Sequence, residues 1–230
     1  MPWPAVAWRD EASRQELASL LAVQGIPTLV LVDASDKDCA LITDDARARV
    51  NDDPDGKDFP WRPEPVSVFA ERHSARLHDH PALILFVEGG PGEVEWAMAI
   101  LKQAADVYAE QHPSTLAALR EPRLQFYVAQ DGDAADSLRE QLVLEDAVPL
   151  LVAVDVWRGA VSVLEDEVDD DEEDGDDAIC AASAVAFMKA FLAGELPSAP
   201  LGVYLPRPPP PHHALMQDLQ DLQGAPQLEA

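Results

Sequence analysis

Two cysteines, six histidines and one dense run of carboxylates are the groups in this sequence with chemistry to offer. Thiol–disulfide exchange needs a thiolate and a second thiol close enough to resolve the mixed disulfide. Cys39 and Cys180 lie far apart, and no Cys-x-x-Cys pair occurs. Asp36 and Asp38 surround Cys39 with negative charge, the opposite of the electropositive setting that activates a thiol, so it reads as a structural cysteine. Cys180 sits among Ile179, Ala181 and Ala182 and reads as a core residue. Two isolated thiols fit a reducing compartment and do not make a disulfide framework.

Residues 165–177 hold eleven acids in thirteen positions, broken only by Val168 and Gly175. Asp170, Glu172, Asp174 and Gly175 imitate the start of an EF-hand loop. The twelfth position, however, is Ala181, where such a loop needs a bidentate Glu. The run therefore reads as a solvated, self-repelling acidic loop, with a basic partner as its functional extension. His73, His78, His80 and the pair His212-His213 lack a second ligand pair at structural zinc spacing and read as surface residues. Asp33 and Trp3 read as turn and packing residues. There is no Ser/His/Asp order, phosphate loop or dinucleotide fingerprint. No catalytic residue, metal ligand or cofactor is assigned.

Charge narrows the partners. Acidic residues number 43 against 16 basic, a formal charge of −27 over 230 residues. Phosphate binding needs clustered Lys and Arg, so a nucleic-acid surface is disfavoured, as is docking on anionic lipid. Apolar residues make up 47% of the chain, enough for packed cores. The first residues have no basic segment followed by an apolar one, and the longest apolar runs fall far short of a membrane span. The expectation is a soluble intracellular protein.

These groups must be positioned by the elements around them. Residues 3–8 are short and apolar and predict a buried strand. Asp10, Glu11 and Glu16 open an amphipathic helix over 10–22, with acids at its positive end and Gly25 placed to end it. After Gly25-Ile26-Pro27-Thr28 comes the uninterrupted β-branched and apolar run 28–32, expected as a strand covered on both faces. A polar turn, a returning strand over 39–42 and a short helix over 44–50 follow. Residues 51–58 are turn-rich, and the prolines in Phe59-Pro60-Trp61-Arg62-Pro63-Glu64-Pro65 favour an extended connector.

Beyond it, strands are predicted over 66–69, 81–87, 123–128, 150–155 and 160–164. Helices are predicted over 93–111, 133–144 and 178–192, with a weak one near 75–77. Ala147-Val148-Pro149 repeats the apolar-proline turn before a strand. The crossover helices imply parallel pairing, and the last hairpin an antiparallel edge. Residues 205–211 predict a polyproline II segment suited to an aromatic-lined groove or, more simply, a disordered tail.

Met1-Pro2-Trp3, Gly25-Ile26-Pro27-Thr28 and Phe59-Pro60-Trp61 together resemble the nucleoredoxin family of the thioredoxin superfamily, over about residues 1–197. The resemblance implies an α/β thioredoxin-like fold, with a mixed sheet flanked by helices. It also implies three segments: 1–63 as the C-terminal half of one such domain, 64–197 as a complete disulfide-isomerase-like domain without Cys-x-x-Cys, and 198–230 as a Pro-rich tail. Gly25, Ile26, Pro27 and Thr28 would form a substrate-facing turn with a cis proline, and Val148-Pro149 its second-domain counterpart. The dithiol helix that such a turn borders lies upstream in the family pattern, so the chain would begin in mid-domain, as a shorter isoform or a sequence missing upstream exons. The family's role is that of a protein-disulfide oxidoreductase and redox-dependent restraint on Wnt signalling through Dishevelled, in cytoplasm and nucleus. The active-site position of the second domain reads Gly89-Gly90-Pro91-Gly92-Glu93-Val94-Glu95-Trp96, without a thiol. The chain therefore supports protein binding better than catalysis. Oxidoreductase activity is the alternative if the native product includes the upstream half-domain.

Overall fold

The computed structural model describes residues 4–23, 25–35, 39–164 and 179–200. The acidic run, the polyproline segment, His212, His213 and Trp3 lie outside the described residues. The chain divides into two units, one built on residues 4–61 with Thr115–Arg120, the other on Arg62–Ser114 and the residues that follow 120.

In the first unit Asp10 caps helix α1 (Glu11–Leu20), its carboxylate accepting the Ser13 N–H at 3.1 Å, as the acidic start foretold. The helix stops well before Gly25. Leu21 donates its N–H to the Leu17 carbonyl, and Ala22 takes a left-handed φ of 46°, so a local backbone turn ends it instead of glycine. Strand β1 (Leu31–Asp33) pairs antiparallel with β2 (Ala40–Thr43), the register slipping between Leu31 and Val32. Helix α2 (Ala46–Asp52) follows.

Two expectations fail here. Residues 4–8 form no strand, and Trp8 is 83% exposed beneath the Arg14 guanidinium, 4.6 Å from its ring centroid. The strand expected over 28–32 shrinks to three half-buried residues, with Leu29 exposed. The reason is common to both. A strand needs neighbours on its edges and cover on its faces, and this sheet has two strands while α1 buries no residue.

The second unit builds a full sheet. Strand β3 (Ser67–Val68) runs into helix α3 (Glu71–Ser74) and a 3-10 turn over Ala75–His78. Then come β4 (Ala82–Val87), α4 (Glu93–Gln111), β5 (Gln125–Gln130), α5 (Asp133–Leu142), β6 (Leu150–Asp155), β7 (Ala160–Val163), α6 (Ala181–Ala193) and β8 (Ala199–Pro200). The strand order is β3-β5-β4-β6-β7-β8, parallel as far as β4 and antiparallel from β6 onward.

β4 is the central strand because every residue of Ala-Leu-Ile-Leu-Phe-Val is apolar, and all six are buried. Alternation then sorts its side chains. Leu83, Leu85 and Val87 join Leu101 and Ala104 of α4 and Phe187 and Met188 of α6. Ala82, Ile84 and Phe86 join Leu138 and Leu142 of α5 and Leu77 of the 3-10 turn. Two helical layers thus cover one mixed sheet, the arrangement expected of this region.

Other expectations need correction. The tail expected from residue 198 begins with a strand, because Ala199 and Pro200 pair with Val161 and Ala160. Cys180 is exposed, not core. It caps α6, its sulfur accepting the Ser183 N–H at 3.4 Å while the Ser183 hydroxyl accepts the Cys180 N–H at 2.9 Å. Cys39 is exposed too, on a left-handed φ of 48°.

Candidate functional site

The centre of interest is the loop from Glu88 to Gly92, between the end of β4 and the start of α4. Gly92 adopts φ +85° as the residue before the helix, and Gly89 adopts φ +89°. Both are left-handed positions that favour glycine. A Cβ on Gly89 would also come within 3.2 Å of Gln130 Cβ. The glycines thus allow a tight turn whose N–H groups point inward.

Those N–H groups converge on one side chain. The Glu93 carboxylate accepts from the Glu88 N–H at 3.2 Å, and from the Gly89 and Gly90 N–H groups at 3.0 Å each. These are loop amides ahead of the Gly92 cap, and Glu93 is the first residue of α4, where the helix dipole favours negative charge. In redox members of this fold class that setting stabilises a nucleophilic thiolate. Here Glu93 supplies the anion, and it is neither a nucleophile for disulfides nor an electron carrier.

Pro149 lies beside this loop. The register pairs Phe86 with Leu150, which carries Pro149 to the level of Val87, just before Glu88. The Val148–Pro149 bond is cis. Arg139 fixes the approach to it, donating from Nη1 to the Glu145 carbonyl at 2.7 Å and from Nη2 to the Ala147 carbonyl at 3.2 Å. Its guanidinium lies 4.4 Å from the Phe86 ring centroid. Val148 is half-buried and Pro149 exposed, so the proline presents a surface beside the loop.

In the first unit, Ile26–Pro27 is also cis, and the Thr28 hydroxyl donates to the Gly25 carbonyl at 2.6 Å. Ile26 is 97% exposed. Gly25, Ile26, Pro27 and Thr28 thus form an open turn ahead of β1. In the second unit the proline turn and the helix-initiating loop come together.

Asp53 belongs to no motif in the sequence, yet it organises a turn. It accepts the Lys57 N–H at 3.0 Å, the Asp58 N–H at 2.8 Å and the Trp61 indole N–H at 2.9 Å. These bonds, the Asp58 amide foremost and then the Trp61 indole, hold its carboxyl below the ordinary value near 3.8. They organise the turn carrying Phe59, the cis bond to Pro60 and Trp61, whose ring meets Phe59 edge-on at 5.2 Å.

Of the histidines read as surface groups, His73 and His80 are structural. The His73 ring stacks on Tyr127 at 4.9 Å and its Nδ1 accepts the Ala70 N–H, while His80 Nδ1 accepts the Arg123 N–H. His78 is half-buried. Asp33 does serve a turn, accepting the Ser35 N–H at 3.0 Å. Among the described residues no three His, Cys, Asp or Glu side chains gather as a metal site, and no helix is long and apolar enough to cross a membrane.

Human nucleoredoxin is 36% identical to this chain over 202 residues, 87% of the chain, and nucleoredoxin of Danio rerio matches at the same identity over the same length. The chain is a relative of the nucleoredoxins. It spans 43% of the length of human nucleoredoxin. Tryparedoxin of Trypanosoma brucei brucei is 41% identical over 61 residues, 26% of this chain and 41% of that protein. Among solved structures, human ERp44 in its zinc-bound form covers 54% of this chain and 30% of its own, with a TM-score of 0.37 and 12% identity. No family model matches. The fold is thioredoxin-like, and the chain falls in a thioredoxin-like redox family. The loop before α4 holds no thiol, and its backbone N–H groups are taken by a carboxylate of the same chain.

Proposed function

We propose that this chain works as a thioredoxin-like protein-binding module and that its second unit carries out no thiol–disulfide exchange. One observation carries the reading: the Glu93 carboxylate takes the three N–H groups at the position where exchange chemistry needs a thiolate. Exchange without a thiolate has no nucleophile. Val148-Pro149 and the Glu88–Gly92 loop are then a contact surface, and Gly25–Thr28 a second one. The likeness to nucleoredoxins supports a protein partner of the Dishevelled kind in Wnt signalling, met in cytoplasm or nucleus. The charge of −27 supports a basic surface on that partner.

The test is insulin-disulfide reduction by the purified chain with a thioredoxin-reductase recycling system, alongside co-purification of partners from cytosol. The expected result is no turnover above the uncatalysed rate and retained partners. Turnover that survives Cys39→Ser with Cys180→Ser would overturn the reading.

A further inference from the structure

A groove of about 580 Å³ runs along the flank of α4 at the β3 edge of the sheet. Its floor is Val66, Val94, Met98 and Ala99, and its rim carries Glu64 and Glu95, with Lys102 at the far end. Val94, Met98 and Lys102 recur every four residues, so the stripe that lines the groove is one face of the helix. The groove is open to solvent, and its volume lies in the range of ligand clefts. An unbranched thioether such as Met98 adapts to varied apolar side chains, and the small Ala99 leaves room for a close approach.

The rim selects the occupant. Lys102 donates to both Asp106 oxygens, the shorter contact at 2.7 Å, so its charge is already matched. Neither Glu64 nor Glu95 meets a cation among the described residues. An apolar floor under an unmatched acidic rim, on a chain of charge −27, complements an apolar side chain flanked by Lys or Arg. An acidic or phosphorylated segment would meet repulsion from the rim and from the field of the whole chain.

We infer that this groove docks a short partner segment whose apolar anchor enters between Val66 and Met98 and whose flanking basic residues meet Glu64 and Glu95. The inference rests on the reading of this chain as a binding module and gives that module a specific pocket, apart from the Pro149 surface. The two fail separately. Turnover in the insulin assay would remove the binding-module reading without touching the groove, and loss of groove binding would leave the Pro149 surface intact.

The experiment is fluorescence anisotropy of the full chain with a fluorescein-labelled Lys-Arg-Leu-Leu-Arg-Lys peptide, and with Glu-Asp-Leu-Leu-Asp-Glu as control. The basic peptide should bind and the acidic one should not. Glu64→Lys with Glu95→Lys, both at exposed positions, should weaken binding about tenfold. Ala99→Arg, also exposed, should block the floor and weaken it at least as much. Replacing the acids of 165–177 by Asn and Gln should change affinity less than threefold. Three results would overturn the inference: equal binding by the groove variants, loss of binding confined to the 165–177 variant, or a tenfold gain on removing residues 201–230, which would assign the groove to the chain's own tail.

Discussion

Replacing Glu93 by Ala removes both acceptor oxygens and leaves three donors without them. The Glu88 and Gly89 N–H groups are exposed and the Gly90 N–H is part-buried, so water replaces most of what is lost. An exposed capping interaction contributes about 1 kcal/mol, and a carboxylate at a helix N-terminus adds about 0.3–1 kcal/mol. The expected destabilisation is therefore about 1–2 kcal/mol, not the larger figure for a buried unpaired donor. In a unit of this size that is a fall of about 3–8 °C in melting temperature. Glu93→Gln keeps an acceptor oxygen but loses the charge, and should fall about midway. Urea unfolding gives the free energy, and hydrogen exchange gives the location, with faster exchange at Glu88, Gly89 and Gly90 ahead of the β4 amides. A variant within 0.3 kcal/mol of the parent by these criteria, with the three amides equally protected, would refute the claim that this carboxylate holds the loop.

Arg139→Met keeps much of the stem against Phe86 but removes every donor to the Glu145 and Ala147 carbonyls. A loss of about 1–2 kcal/mol is expected, with nuclear magnetic resonance shifts confined to 144–150 and the Glu88–Gly92 loop, whereas shifts spread over β7 would contradict the local role. Leu101→Ala empties a site with no exposed surface between α4 and the sheet and should cost about 2–5 kcal/mol in urea unfolding. Asp53, its carboxyl held below its ordinary value, binds a proton more weakly folded than unfolded, so its contribution is present above the unfolded value and is lost as pH falls through the lower folded value. The Trp61 indole N–H resonance should hold steady from pH 7 to about 4 and move only below that, and Asp53→Asn should abolish the acid-range movement.

How much could be read in advance depended on whether the deciding partner was local. β4 was legible because six consecutive apolar residues can be satisfied only by cover on both faces, and α4 because its apolar stripe repeats from Val94 to Tyr108. Residues 4–8 had the same local apolarity and formed no strand, since edge neighbours are not written into a strand's own pattern. Cys180 misled for a related reason. Its flanks Ile179 and Ala181 speak for burial, while the Cys-x-x-Ser spacing makes it a cap. Arg139 reaches carbonyls six and eight positions away on a turn whose path depends on β6, so no short motif could disclose it.

On the proposed reading, the loop before α4 keeps the shape of the fold without a group for exchange chemistry. The residue at the start of that helix sits where the dipole favours an anion, and here its carboxylate also takes the N–H groups of Glu88, Gly89 and Gly90. Electron transfer asks something more, which only sulfur supplies. The glycines at 89 and 92, the Arg139 clamp and the Pro149 turn answer to backbone geometry. Such a site keeps its shape under selection for binding alone. The shape of this loop thus answers to its backbone, and the carboxylate of residue 93, which is no nucleophile for disulfides, is what the proposed binding role rests on.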